Sequence, residues 1–206
     1  MKAVMRTLAL LMLASFTMSA YSASKTILVL GDSLSAEYGL ARGEGWVNLL
    51  QKKLEAEKIT ASIVNASISG ETTSGGAARL QTLLDKHQPA VVVIELGAND
   101  ALRGLSLIAT QQNLRNMVAA AKKAKARVLL IGMQIPPNYG TDYTRQFADL
   151  FPKIAKESKS ALVPFMLKDV ADKANPNLFQ ADRIHPSAEA HPIILNNIWP
   201  QLKPLL

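Results

Sequence analysis

Ala90-Val91-Val92-Val93-Ile94-Glu95-Leu96 is the stretch on which the fold turns. Four β-branched residues stand in a row, with neither the two-residue alternation of a half-exposed strand nor helical spacing. Such a run suits a strand buried on both faces. Upstream, Gly76 to His87 reads as a helix that stops before Pro89. Downstream, Leu107 to Lys125 reads as a long helix rich in Ala and Leu. The same alternation continues outward in both directions. Thr26 to Leu30, Ile63-Val64, Val128 to Ile131 and Leu162 to Phe165 supply four more short apolar runs, five in all. Between them, Trp46 to Lys58 has helical spacing in Trp46, Leu49, Leu50 and Leu54. Tyr143 to Ser158 also reads as helical, with Pro152 expected to kink or divide it. Ser187 to Leu206 reads as a terminal helical region interrupted by Pro192 and Pro200. Apolar strands separated by helices predict an α/β fold: a doubly wound, mostly parallel five-stranded sheet covered on both faces. Ligands in such sheets bind at the carboxyl ends of the strands.

The chain has 206 residues, 49% of them hydrophobic and 19% charged, which suits one globular domain rather than a disordered chain. No linker or repeat divides it, so residues 23–206 are expected to form a single domain. The first 22 residues carry Lys2 and Arg6, an apolar run from Leu8 to Phe16, and small residues around Ala20, Ser22 and Ala23. That order is the pattern of a secretory signal. The alternative, a membrane anchor, meets an apolar run too short to span a bilayer. A periplasmic or secreted, soluble protein without a stable membrane span is therefore expected.

The chain has no cysteine, which excludes a disulfide framework, a thiolate metal site and a cysteine nucleophile. Its three histidines are scattered singly, so no metal site is expected. His87 reads as a helix cap and His191 as a surface residue. The formal charge is +7; without Lys2 and Arg6, 21 basic residues face 16 acidic ones. No basic stripe with interleaved aromatics accompanies that excess, which argues against a nucleic-acid partner. Attraction to an anionic lipid surface or an anionic acyl substrate stays open.

Gly31-Asp32-Ser33-Leu34-Ser35 follows directly on the first apolar run and places Ser33 at the ligand-binding edge. Gly31 is read as permitting a tight turn, and the next segment as starting a helix whose amides face the site. A capped strand-to-helix turn is the plain alternative. Asp182-Arg183-Ile184-His185-Pro186 sets an acid three residues before a histidine. Within one turn, such an acid can hold Nδ1 and leave Nε2 free to take a proton from a serine. A surface Asp-Arg pair beside a packed histidine is the alternative. Ser69-Gly70-Glu71-Thr72 and Gly97-Ala98-Asn99-Asp100 follow the second and third runs. Each is an ordinary turn composition. Together with the Ser33 amide, however, the Gly70 amide and the Asn99 side chain make three donors at neighbouring strand ends, as an oxyanion requires. Asp32 and Asp100 are expected to brace their loops. There is no Gly-x-Ser-x-Gly elbow, no Gly-x-Gly-x-x-Gly and no Walker loop.

These four blocks, in this order, resemble those of the SGNH (GDSL) hydrolases, and the resemblance covers essentially the whole chain after the leader. It extends to Val64-Asn65-Ala66-Ser67-Ile68-Ser69-Gly70, Glu95-Leu96-Gly97-Ala98-Asn99-Asp100 and Pro137-Asn138-Tyr139-Gly140, which are similar to the exported bacterial thioesterase, lysophospholipase and arylesterase type. The resemblance implies Ser33 as nucleophile, His185 as base oriented by Asp182, and Ser33, Gly70 and Asn99 as oxyanion donors. It also implies a flavodoxin-like three-layer sheet and neither metal nor cofactor. Two positions depart from the family: Arg183 stands where Gly is usual, and Ala98 where Gly or Thr is frequent. Ile135, Pro136, Tyr139 and Tyr143, with Arg183 at the rim, are expected to line an acyl groove, ordinary loop packing being the alternative. The expected activity is hydrolysis of acyl esters and thioesters by a monomer acting on a small-molecule substrate or a lipid. Two rivals remain: an O-deacetylase of acetylated glycans with the same mechanism, and a non-catalytic module binding a flavin or phosphorylated ligand.

Overall fold

A computed structural model describes residues 25–171 and 176–206; the expected leader lies outside the described residues. Five strands form one sheet: β1 (Lys25–Gly31), β2 (Ala61–Asn65), β3 (Val91–Glu95), β4 (Arg127–Ile131) and β5 (Ala161–Val163). Their order is β2-β1-β3-β4-β5, and every pair is parallel. The register aligns Leu28 with Val92 and Val92 with Val128. All five residues of β3 are buried, as are Ile27 to Leu30 of β1. The edge strand β2 is only partly covered and β5 has three residues, which is why their apolar signal in the sequence is short.

Among the described residues six α-helices accompany the strands, five between them and one after β5: α1 (Trp46–Ala56), α2 (Thr73–His87), α3 (Ala98–Leu102), α4 (Leu107–Lys123), α5 (Thr141–Ser158) and α6 (His191–Leu202). α1 packs with α6, and α4 packs between α2 and α5, giving helices in two sets around the sheet. Thr72 caps α2 through Gly75 N–H and Ser106 caps α4 through Ala109 N–H. Pro152 lies inside α5, which continues past it. Phe147, Leu150, Phe151 and Ile154 bury one face of that helix on both sides of the proline and hold it together. Pro192 stands in the first turn of α6, where a missing N–H breaks no helical bond, and Pro200 sits within the same helix. The short α3 was not anticipated. It begins after Gly97, whose φ of +118° is open to glycine and strained for other residues.

Four helix-to-strand turns share one feature. Lys58, Gln88, Lys125 and Lys159, before β2, β3, β4 and β5, all have left-handed backbones, with φ of 56°, 41°, 64° and 51°. Glycine is the usual occupant of this position.

Starting from β1, the chain first adds β2 on one side and then β3 on the other. The carboxyl ends of β1 and β3 therefore flank the point where the winding reverses, which is where such sheets bind ligands.

Candidate active site

Ser33 lies two residues beyond the end of β1, at that reversal point. Its hydroxyl is 2.9 Å from Nε2 of His185, and Nδ1 of His185 is 2.6 Å from Oδ2 of Asp182. The three side chains thus form one hydrogen-bonded chain, with serine and histidine 152 residues apart in sequence. Asp182 Oδ1 also accepts the amides of Ile184 and His185 at 2.9 and 3.0 Å. Partial desolvation raises its pKa, but these two amides and the imidazole outweigh it and bring the group down to about 2. An acid so stabilised stays ionised beside the imidazole, which fixes the ring with Nε2 toward Ser33. The other face of the ring meets Tyr38, with centroids 4.4 Å apart.

The loop carrying Asp182 and His185 is fastened to the loop carrying Ser33 by Gln180. Its side-chain amide donates to the carbonyls of Tyr38 and Pro186, at 2.8 and 3.0 Å, and its backbone amide donates to His185 at 2.8 Å. Gly39 has φ +71° and no room for a Cβ, which would lie 2.0 Å from Gln180 Oε1.

The segment after Ser33 is a run of turns rather than the helix expected from the sequence; Ala36 N–H and Tyr38 N–H bond back to Asp32 and Ser33. The first helix waits until Trp46. Gly31 likewise serves close approach rather than a glycine-only dihedral. A Cβ there would lie 2.7 Å from Glu95 Oε2 and 2.8 Å from Ser35 Cβ.

Glu95, the last residue of β3, is the group that sequence reasoning passed over. It is buried under the Ser33 loop, where Oε2 accepts the Ser35 hydroxyl at 2.7 Å and the Asp32 amide at 3.2 Å. Ser35 in turn accepts the Trp46 indole at 3.2 Å. The Trp46 amide donates to Nδ1 of His191 at 3.0 Å, so His191 is a buried neutral acceptor and not the surface residue expected. Burial lowers its pKa, against the nearby Glu37 and Glu44 carboxylates. Burial and the adjacent Asp32 charge push Glu95 well above the usual carboxylate range, which favours its neutral form. Burial also raises Asp32, to about 6, although Leu34 N–H and Asn99 Nδ2 pull the other way. Those two donors reach Asp32 at 3.0 Å each.

Asn99 stands in α3, just beyond β3; its side-chain amide is held by Asp32, the residue before Ser33, and both Asn99 and Ser33 line one cavity. Asp100 beside it is buried and ties α3 to α2 by accepting Thr73 N–H at 2.8 Å and the Thr73 hydroxyl at 2.5 Å. Both aspartates therefore brace their loops as expected. Gly70 follows β2 with φ +78°, and its carbonyl accepts from Arg103 at 2.8 Å. The amides of Ser33 and Gly70 donate to no group among the described residues. His87 is the last residue of α2, with Gln88 as the cap.

A cavity of about 580 Å³ opens beside Ser33, His185 and Asn99. Of the groove residues expected, Ile135, Pro136 and Arg183 line it. Tyr139 and Tyr143 do not: Tyr139 is exposed and Tyr143 hydrogen-bonds the Ala101 carbonyl at 3.1 Å. Leu102, Met133, Phe165, Leu167 and Phe179 add to the apolar wall. These come from three separate connections, so no local pattern marks them. Arg183 has φ +57°, the left-handed conformation in which glycine is strain-free. Among the described residues no group of three or more histidine or acidic side chains is arranged to hold a metal ion.

Comparison with known proteins agrees with this geometry. Residues 29–193 match the GDSL-like lipase/acylhydrolase family. The chain is 49% identical over 194 residues to esterase TesA of Pseudomonas aeruginosa, covering 94% of this chain and 96% of that protein. It is 43% identical to thioesterase 1/protease 1/lysophospholipase L1 of Escherichia coli K12, covering 90% and 86%. A psychrotrophic esterase EstA from Pseudoalteromonas, solved with monoethylphosphonate as inhibitor, superposes with a TM-score of 0.82 at 43% identity, covering 87% of this chain and 97% of that one. On a match of this extent, the chain belongs to the GDSL-like lipase/acylhydrolase family and is a hydrolase of ester bonds.

Proposed function

We propose that this protein hydrolyses fatty acyl esters and thioesters through an acyl-enzyme on Ser33. The observation that carries this reading is the continuous chain from Ser33 through His185 to Asp182 at the mouth of an apolar cavity. His185 Nε2 takes the Ser33 proton as Oγ attacks the acyl carbonyl, and Asp182 stabilises the imidazolium. The Ser33 amide, the Gly70 amide and Asn99 Nδ2 receive the oxyanion. The imidazolium then protonates the departing alcohol or thiol, and a water activated by the same ring releases the fatty acid.

The size and apolar lining of the cavity favour a long acyl chain over an acetyl group, which argues for this reading over a glycan O-deacetylase. The relatives named esterase and thioesterase/lysophospholipase support thioesters and lysophospholipids as substrates. Arg183 sits at the cavity rim as a cation for an anionic leaving group. One chain supplies all the proposed groups, so a monomer suffices for the reaction. The leader pattern in residues 1–22 supports export to the periplasm, with residues 23–206 as the single domain. Among the described residues no helix is long and apolar enough to cross a membrane.

Stoichiometric labelling with a fluorophosphonate tests the proposal. One adduct on Ser33, absent in Ser33→Ala and slowed in His185→Ala, is expected; a folded protein that takes no adduct overturns it in favour of a binding module. For the oxyanion assignment, Asn99→Ala is expected to lower turnover roughly 10²–10³-fold, about 2.7–4 kcal/mol. A folded Asn99→Ala protein with wild-type turnover removes Asn99 from that role.

A further inference from the structure

Gly70 and Asn99 reach the proposed oxyanion site from different connections, and Arg103 is bonded to both. Gly70 lies between β2 and α2, and Asn99 lies in α3. The backbone amide of Arg103, the C-terminal cap of α3, donates to the Asn99 carbonyl at 3.2 Å. Its guanidinium donates through Nη2 to the Gly70 carbonyl at 2.8 Å. One residue therefore spans the two donors, by its main chain on one side and its side chain on the other.

The Gly70 donor needs such a hold. Glu71 N–H bonds the Ile68 carbonyl at 3.1 Å and closes a turn, with Gly70 at its third position and φ +78°. A type II turn requires a positive φ at that position. The peptide carrying the Gly70 N–H is the middle one of the turn. Turn types I and II differ by a rotation of this peptide, so the closing bond alone does not fix where the N–H points. The flanks of the turn are tied elsewhere. Ile68 N–H bonds the Gly31 carbonyl at 3.0 Å, and the Thr73 amide and hydroxyl bond Asp100. Gly70 itself meets Arg103, whose Nη2 would lie 3.3 Å from a Cβ added there. Arg103 is exposed, pairs with no carboxylate among the described residues and does not line the cavity. It is neither a core residue nor a wall of the acyl site.

We propose that Arg103 is a positioning residue of the oxyanion site. It holds the Gly70 turn at a set separation from α3, so that the Gly70 amide and Asn99 Nδ2 converge on one oxygen. The inference rests on the reading of those two groups as oxyanion donors, and Arg103 acts through Gly70 without touching the substrate.

The test is Arg103→Met, which keeps an apolar stem and removes donors and charge. Both acyl-transfer steps use the oxyanion site. With a short-chain p-nitrophenyl ester, kcat is therefore expected to fall about tenfold, a fraction of the loss from deleting a donor outright, with KM nearly unchanged. An alkyl boronic acid, whose adduct on Ser33 is tetrahedral, should bind more weakly by the same factor. The midpoint of urea unfolding should not move, since the side chain is exposed. The loss should persist in about 1 M salt, where charges are screened within about 3 Å. Arg103→Gln, with its shorter side chain, should match Arg103→Met and serves if that variant does not fold. Wild-type kcat in a folded variant overturns the proposal. So does a loss confined to KM, which would give Arg103 to substrate binding, or a loss abolished by salt, which would reduce it to a distant charge. In those three cases Ser33 of the wild-type protein still takes the fluorophosphonate; a wild-type protein without that label would sink the proposed function and this inference with it.

Discussion

The two halves of the candidate site are built in opposite ways. Ser33 stands on the end of the buried strand β1, over a buried network running from Glu95 through Ser35 and Trp46 to His191. His185 and Asp182 stand on a long connection outside the sheet, held by each other, by the Phe179–Pro186 bridge and by the bonds of Gln180. Asp182 keeps 37% of its side chain in solvent, whereas Asp32 and Glu95 are almost fully covered. The nucleophile is thus placed by the core, and its base by a few exposed polar contacts. Damage to the first half should register as lost stability, and damage to the second as lost turnover.

The sharpest separation is expected from His185→Ala. Turnover should fall by at least about 10⁴-fold, while the thermal midpoint stays near the wild-type value; a large drop in the midpoint would mean that the loop is part of the folded core. Glu95→Leu should do the converse, removing the acceptor of two buried donors at a cost of about 2–4 kcal/mol in urea unfolding. Glu95→Gln keeps an acceptor of the same shape and should cost under about 1 kcal/mol. If glutamine were as damaging as leucine, Glu95 would be ionised in the folded state and the neutral assignment would fail. Gln180→Ala is expected to reduce turnover about tenfold with almost unchanged urea unfolding. Equal losses in both would erase the contrast between the halves.

The smallest expected effect is on the pH dependence of stability, where the halves should oppose each other. Asp182 has a folded pKa lowered to about 2, so its contribution is present above the unfolded value near 4 and is lost as pH falls through 2. Asp32 has a folded pKa raised to about 6. Between roughly pH 4 and 6 the folded state binds the extra proton, so stability falls as pH rises through that window, by at most about 1.4 kcal/mol per pH unit. Denaturant unfolding of Asp182→Asn across pH 2–7 should remove the acid limb, and Asp32→Asn should reduce the slope between pH 4 and 6, the remainder coming from Glu95, whose pKa is raised as well. An unchanged slope in Asp32→Asn would assign the whole limb to Glu95.

Ser33, His185, Asp182, Gly70 and Asn99 were legible in the sequence because each lies within a few residues of a strand end or of its partner. Asp-x-x-His places both groups in one turn, and a glycine after an apolar run marks the sheet edge. Glu95 was hidden by the same rule that revealed β3. Its apolar neighbours identify the strand, but Ser35, 60 residues away, gives it a purpose. His191 was misjudged for the same reason, since its partner is the Trp46 amide 145 residues earlier. Tyr139 and Tyr143 were placed in the groove by proximity to Ile135 and Pro136. The chain instead enters a short 3-10 turn at Pro137 and then α5, which carries both rings off the cavity wall. Pro200 was read as an interruption, but the buried face of α6 outweighs one missing hydrogen bond.

The left-handed residues at the four helix-to-strand turns bear on how this enzyme could be hardened. Lys58, Gln88, Lys125 and Lys159 all precede strands, and so cluster at the amino edge of the sheet, remote from Ser33. Each carries a Cβ where the backbone prefers none, a strain worth roughly 0.5–1 kcal/mol per site after the entropy of the added glycine is counted. Sites this far apart add nearly independently. Stability could therefore be raised in four separate steps at one end of the molecule, leaving the chemistry at the other end untouched.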